Sequence, residues 1–207
     1  MLAVVDYGVG NLFSLKSSLR AVNVDAVVAS DETALARADG IILPGVGAFA
    51  DAAEKLQISG MAEAVQDQVE EGKPLMGICL GMQLLFERSL EYGEHAGLGL
   101  LKGTVRPLAG YVPETYKIPQ IGWNYLTMTE RGNASSLFQD IHEGSYVYFV
   151  HSYYAADCDE SVLAYTEYGA PVTAAVGMDN VYGCQFHPEK SGDTGLRILK
   201  AFSEVCV

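Results

Sequence analysis

The stretch that most constrains this chain runs from Lys73 to Phe86, K-P-L-M-G-I-C-L-G-M-Q-L-L-F, and reads as a short buried strand that turns sharply into a helix with a thiol at the corner. Gly77 and Gly81 frame Cys79 as G-x-C-x-G. A side chain at either glycine would crowd the turn or the helix behind it, which is the logic of a nucleophile elbow with sulfur in place of oxygen. Cys79 is therefore the candidate nucleophile. The following helix starts at the sulfur, where free amides and the positive dipole end favour a thiolate, and the Leu80 N–H is placed to donate to an oxyanion on an attacked carbonyl. Taken alone, a cysteine in a Leu/Met-rich segment reads equally well as core.

A second stretch changes that balance: Tyr182 to Lys190, Y-G-C-Q-F-H-P-E-K, sets an imidazole and a carboxylate two residues apart around a proline. Pro188 disfavours helix at His187 and holds the tripeptide extended or turned, so both side chains can converge on one place. Cys79, His187 and Glu189 are the types a thiol relay needs: an imidazole to take the proton, and a carboxylate to fix the ring's tautomer and stabilise imidazolium. Their separation along the chain is ordinary for partners that meet only in the fold.

No Ser/Gly/Pro-rich tract, charge block or internal repeat divides the 207 residues, so 1–207 is expected to form a single domain. The formal charge of −13 argues against a nucleic-acid partner. The N-terminus lacks a basic region and meets Asp6 after a few apolar residues, which reads as a first strand rather than a secretion signal; no apolar run approaches membrane-spanning length. Cys79, Cys158, Cys184 and Cys206 show no C-x-x-C spacing, and a reactive thiol wants reducing surroundings. The expectation is a cytoplasmic protein with no membrane association, disulfide, metal or cofactor.

Along the chain, 2–5 reads as a strand and 11–22 as an amphipathic helix. The D-Y-G-V-G-N turn between them, residues 6–11, has Phe13 where a dinucleotide loop would carry its third glycine, so a tight βα turn is the default. Strands at 24–29 and 40–43 flank a short helix capped by Asp31. Gly45, Gly47 and Ala50 do fit G-x-G-x-x-A, the nucleotide-binding alternative, but the acid that should hold a ribose falls near Asp67, in mid-helix. The better reading has this turn facing the elbow, with Val46 offering a second amide to the oxyanion. Two flanking glycines leave the Val46 peptide free to rotate, so the hole is expected to be misformed at rest and completed on partner and ligand binding. Residues 50–71 read as helix with a break near Ser59 and Gly60, 75–78 as a strand and 80–90 as a helix. From Gly97 the texture changes to β-prone runs at 99–108, 124–128, 146–150, 163–166, 172–178 and 181–186, which suggests antiparallel strands along one edge of a parallel sheet; a helix at 192–205 closes the pattern. The fold class is α/β: a flavodoxin-like, doubly wound, mostly parallel sheet with helices on both faces and an antiparallel β extension, the elbow lying at a strand's carboxyl end where such sheets bind ligands.

G-I-C-L-G-M-Q with a distant F-H-P-E resembles the class I (triad) glutamine amidotransferases, in which Cys, His and Glu release ammonia from glutamine. Residues 6–12, 44–49, 117–124 (K-I-P-Q-I-G-W-N) and 148–153 (Y-F-V-H-S-Y) further resemble those family members that pass ammonia to a separate cyclase in histidine biosynthesis. The resemblance implies a heterodimer with a (β/α)8-barrel cyclase subunit and low glutaminase activity at rest. Gln83, one turn after Cys79 on the same helical face, can hold the substrate's amino-acid end, and the resemblance adds Glu91 for the ammonium and Ser152 and Tyr153 for further glutamine contacts. It turns Lys117, Pro119, Trp123 and Asn124 toward the partner, while relatives with His in place of Gln120 leave the contact at that point open. His151 lacks a carboxylate two residues away and is expected to be structural rather than a second base. Two rivals stay open: a glutaminase serving a pyridoxal phosphate or anthranilate synthase, and a binding module with a vestigial site.

Overall fold

In the computed structural model, which describes residues 1–206, strand and helix alternate up to the elbow. The elements are β1 (Leu2–Val5), α1 (Leu12–Ala21), β2 (Ala26–Ala29), α2 (Glu32–Ala36), β3 (Gly40–Gly45), α3 (Phe49–Ile58), α4 (Met61–Glu70), β4 (Leu75–Cys79) and α5 (Leu80–Leu84). Local chemistry sets several of their ends. The side chains of Asn11 and Asp31 accept from the Ser14 and Ala34 amides and start α1 and α2, while Gly60, at φ +74°, separates α3 from α4.

β1, β3 and β4 are buried along their whole length, the mark of a parallel sheet covered on both faces. Alternate residues divide between two cores: Ala3, Val5, Ile41 and Leu43 pack with Leu35, Leu56 and Val65 of α2–α4. Leu2, Val4, Ile42, Met76 and Ile78 pack on the other face with Leu15 and Leu19 of α1. The fold is thus doubly wound.

The remainder supplies β5 (Phe86–Ser89), β6 (His95–Ala96), β7 (Leu101–Pro107), β8 (Gln120–Tyr125), β9 (Thr127–Met128), α6 (Glu130–Ala134), β10 (Tyr146–His151), β11 (Tyr153–Ala156), β12 (Val162–Glu167), β13 (Pro171–Met178), β14 (Val181–Cys184) and α7 (Gly192–Val205). α7 covers the same face as α1 through Ile198, Leu199 and Phe202. The main sheet has the order β2-β1-β3-β4-β14-β13-β12-β9, parallel from β2 to β14 and antiparallel beyond, and two small sheets, β11-β7-β5-β6 and β10-β8, stand apart from it.

Three expectations are corrected. The helix after the elbow does not reach residue 90: it ends at Leu84, because the carbonyls of Leu84, Leu85 and Phe86 accept from the amides of Leu98, Leu101 and Gly99, which frees 86–89 to become β5. β14 is antiparallel to β13 as expected, but it does not stand outside the parallel set: its other neighbour is β4, to which it runs parallel. Residues 120–123, outside the β-prone runs read from sequence, pair with β10 as part of β8, so the strand expected from 124 begins at Gln120. Among the described residues no helix is long and apolar enough to cross a membrane.

Candidate active site

Cys79 stands at the end of β4 with φ +54° and ψ −111°, a conformation that costs a residue with a side chain roughly 1–3 kcal/mol and persists only where its surroundings enforce it. Backbone packing does the enforcing. A Cβ on Gly81 would lie 1.8 Å from the Leu43 carbonyl oxygen, and one on Gly77 would lie 2.6 Å from the Gly81 carbonyl oxygen, so both glycines let α5 fold back against its own strand and against β3.

Gly45 opposes Cys79 in the β3–β4 register, and its Cβ position is 2.8 Å from the Gly81 nitrogen and 2.9 Å from the Tyr7 hydroxyl. The Pro44–Gly47 turn therefore abuts the elbow. Of the two glycines flanking Val46, Gly47, at φ +94° in open space, uses glycine's backbone range, whereas Gly45 is there for close contact. Tyr7 braces that side by donating from its hydroxyl to the Pro44 carbonyl at 2.8 Å.

His187 arrives from β14. Because Cys184 pairs with Ile78 in the parallel register, the chain leaves the sheet beside Cys79. The His187 N–H donates to the Tyr148 carbonyl at 2.9 Å, and the Ser191 hydroxyl donates to the His187 carbonyl at 2.6 Å while accepting from the Tyr148 amide at 3.0 Å. A single 3-10 turn, Pro188–Lys190, then places Glu189, whose Oε1 accepts from His187 Nδ1 at 2.8 Å with 4% and 5% of the two side chains exposed. Burial alone would weaken the imidazole's hold on a proton; its interactions with Cys79 and Glu189 outweigh that and lift the pKa to about 9. The sulfur and the carboxylate flanking the ring thus make His187 a stronger base than a free imidazole, suited to taking a proton from the thiol.

Cys79, Leu80, Val46, Gly47, Gln83, Glu91, Ser152, Tyr153 and His187 line one cavity of about 590 Å³, a size for a small-molecule substrate. Gln83 is buried rather than superficial, and its amide donates to the Tyr153 carbonyl at 3.1 Å and to Gln185 Oε1 at 3.0 Å. Glu91 serves the fold: its Oε2 accepts from the Phe49 N–H at 2.6 Å, capping α3, whose own N-cap residue, Ala48, makes no side-chain cap.

Gln185 and Ser191 were not singled out by sequence. The available signal for Gln185 was a carboxamide inside the otherwise apolar run Val181 to Phe186; it is fully buried, and its Nε2 lies 3.8 Å from the Cys79 sulfur.

His151 is structural. Nδ1 meets the Tyr153 carbonyl at 2.8 Å, Nε2 meets the Gln120 amide at 3.0 Å, and burial pushes its pKa down to about 4. A neutral ring carries one N–H; since the Tyr153 carbonyl can only accept, Nε2 must accept, and Gln120 presents its NH2 group to it. That orientation also gives the buried NH2 the partner it otherwise lacks. Gln120, 2% exposed, is thus an interior residue rather than a surface contact.

The four residues expected at a partner surface divide. Trp123 is 56% exposed and packs edge-on to Tyr148, with ring centroids 6.1 Å apart. Lys117 is exposed and Pro119 lines the cavity. Asn124, half-buried, donates to the Glu167 carbonyl at 2.8 Å and accepts from the Tyr125 amide at 2.9 Å.

Residues 3–205 match the family model for glutamine amidotransferase class-I. The chain is 50% identical over 207 residues to imidazole glycerol phosphate synthase subunit HisH of Wolinella succinogenes, covering 99% of this chain and 100% of that protein. It is 48% identical over 206 residues to the subunit of the same name from Caldanaerobacter subterraneus subsp. tengcongensis, covering 99% and 98%. Among solved structures, a glutamine amidotransferase matches with a TM-score of 0.76 at 22% identity over 99% of this chain and 98% of that one. PurLQS from Thermotoga maritima matches at 0.72 and 22%, over 99% and 97%. At such identities these two speak for the fold alone.

Proposed function

The chain belongs to the class-I glutamine amidotransferases, and from that premise we propose that residues 1–207 act as the glutaminase subunit of an imidazole glycerol phosphate synthase. It hydrolyses glutamine to glutamate and ammonia and hands the ammonia to a separate (β/α)8-barrel cyclase in a heterodimer. There the product is imidazole glycerol phosphate, formed with an aminoimidazole carboxamide ribonucleotide on the way to histidine. One observation carries the proposal: a buried His187–Glu189 pair at 2.8 Å stands against a cysteine held in an enforced left-handed conformation at the rim of a cavity.

The chemistry follows from those atoms. Cys79 gives its proton to His187 and attacks the γ-carboxamide carbon of glutamine. The oxyanion formed lies between the Leu80 and Val46 amides. His187, held by Glu189 in the tautomer that keeps Nδ1 protonated, gives the proton to the leaving nitrogen, and ammonia departs with the C–N bond. Water, losing a proton to His187, then cleaves the thioester and restores the thiol. Gln83, Glu91, Ser152 and Tyr153 grip the substrate's amino-acid end, and the Val46 peptide completes the hole when the cyclase and its nucleotide are bound. Lys117, Pro119 and Trp123 face the cyclase. The four free cysteines, the nucleophile among them, suit the reducing cytoplasm.

The test is ammonia release from glutamine by the chain alone and with a cyclase subunit plus its nucleotide, for wild type and Cys79→Ala. Turnover that rises on partner addition and disappears in Cys79→Ala supports the proposal. Undiminished deamidation by Cys79→Ala, or no labelling of Cys79 by a glutamine-mimicking electrophile, refutes it.

A further inference from the structure

Between the nucleophile and the amino-acid end of the cavity lies a polar connection that the triad does not use. Gln185 is fully buried in the run joining β14 to His187; its Nε2 is 3.8 Å from the Cys79 sulfur, and its Oε1 accepts from Gln83 Nε2 at 3.0 Å. The other proton of that Gln83 amide goes to the Tyr153 carbonyl at 3.1 Å. Amide nitrogen and oxygen are interchangeable in shape, so the direction of the chain has to be argued, and here the chemistry fixes it. The Tyr153 carbonyl accepts only; Gln83 must turn its NH2 toward it. The second N–H of that group then requires the oxygen of Gln185, which leaves the Gln185 NH2 facing the sulfur. Among the described residues no donor engages Gln83 Oε1, and Gln83 lines the cavity.

We propose that Gln185 is a further catalytic residue, whose NH2 group stabilises the Cys79 thiolate and reports to it whether an amino group is bound at Gln83. The inference rests on the glutaminase reading. An ammonium donating to Gln83 Oε1, the Gln83 NH2 donating to Gln185 Oε1, and the Gln185 NH2 donating to sulfur form a series in which every dipole points the same way. Hydrogen bonds so aligned polarise one another, and in a dry interior each strengthens the next. The positive charge of the substrate is thereby felt as a stronger donor at the negative sulfur. A carboxamide is suited to this because it passes polarisation on without taking or losing a proton, leaving proton transfer to His187. The site is therefore built to favour substrates carrying an α-ammonium at the step of attack as well as at binding.

Two measurements test this on the full chain, the second with the cyclase partner present. The first is the alkylation rate of Cys79 by iodoacetamide at neutral pH, with the site located by mass spectrometry. Gln185→Met lowers it roughly three- to tenfold, since losing a hydrogen bond to a charged group reduces the thiolate fraction while the remaining thiolate becomes more nucleophilic. Gln185→Glu preserves the buried shape and lowers the rate as well, by setting a carboxyl beside the sulfur, and it stands in should the Met variant not fold. The second is the kcat/KM ratio of glutamine over 4-carbamoylbutanoate, which keeps the γ-amide but has no amino group. Gln185→Met reduces that preference, Gln83→Met reduces it too, and the double variant adds little to either. Wild-type alkylation in folded Gln185 variants, or fully additive effects of the two substitutions, overturns the relay. A wild-type chain that neither deamidates glutamine nor labels at Cys79 overturns instead the reading on which it rests.

Discussion

Replacing Gly81 by alanine adds one methyl group at the place with the least room for it. The new carbon would lie 1.8 Å from the Leu43 carbonyl oxygen and 2.8 Å from its carbon. Leu43 is fully buried in a strand paired on both sides, so no flexible side chain can yield. β3 and the start of α5 would have to part by at least about 1.2 Å to reach even a crowded contact, and overpacking of well-filled interiors costs about 1–3 kcal/mol where side chains can adjust. With backbone on both sides the expected loss is about 3 kcal/mol or more, a large share of the ~5–15 kcal/mol that holds a domain together. At roughly 2–4 °C per kcal/mol for a chain of this size, the melting midpoint falls by roughly 6–12 °C. The sulfur and the Leu80 amide ride on the segment that moves, and a displacement of ~1 Å in a reacting group costs on the order of a hundredfold in rate. Urea unfolding followed by circular dichroism, together with glutamine turnover of the folded protein, measures both. Gly60→Ala is the control: at φ +74° with nothing within 4 Å of the added carbon, it carries backbone strain of only about 1 kcal/mol and no loss of turnover. A Gly81→Ala protein within about 1 kcal/mol of wild type and turning over within about threefold of it would refute the packing account of the elbow.

Four further outcomes are expected. In Cys79→Ala the imidazole of His187, followed by NMR, titrates below its native value of about 9, because the sulfur supplies part of the upward pull; an unmoved titration would assign the whole effect to Glu189. The same pair ties stability to pH: below about 6.5 its contribution is fully present, and it is lost as pH rises through about 9, so unfolding free energy measured in urea declines across that interval, and Glu189→Gln flattens the decline. His151 acts in the opposite direction. Below 6.5 the unfolded chain takes a proton there that the fold refuses until about 4, so stability falls as pH drops through that window, and His151→Gln removes this component of the acid loss. Trp123→Ala weakens cyclase association on the order of tenfold in a titration while leaving partner-free turnover within about twofold, as befits an exposed aromatic anchor with no contact to the triad.

What could be read from sequence was what the backbone demands locally. Gly77 and Gly81 around Cys79 announce a turn that side chains would block, and the turn is there. Glu189 lies two residues from His187 across a proline, so their meeting needed no knowledge of the rest of the chain. The helix read at 192–205 is likewise found with those bounds as α7. What escaped was fixed from a distance. Nothing within residues 80–90 tells the helix to stop at Leu84; the amides of Leu98, Gly99 and Leu101 do, by taking the carbonyls a longer helix would need. The parallel placement of β14 could not be told from an antiparallel one by composition, since the two differ only in which strand is the neighbour. The hydrogen bond from Asn124 to the Glu167 carbonyl, on another strand, was likewise out of reach of local sequence. Gln185 passed unremarked for the same reason: its partners, Cys79 and Gln83, lie a whole domain's length back along the chain.

The order in which the main sheet is made has a biological corollary. Among the described strands of the main sheet β14 comes last in sequence, yet it sits between β4 and β13 and joins the parallel strands to the antiparallel ones. A chain lacking residues 181–189 keeps Cys79 but has neither His187 nor Glu189, and it leaves the flank of β4 open to stray pairing. Closing the sheet and bringing His187 and Glu189 to Cys79 therefore depend on one and the same segment.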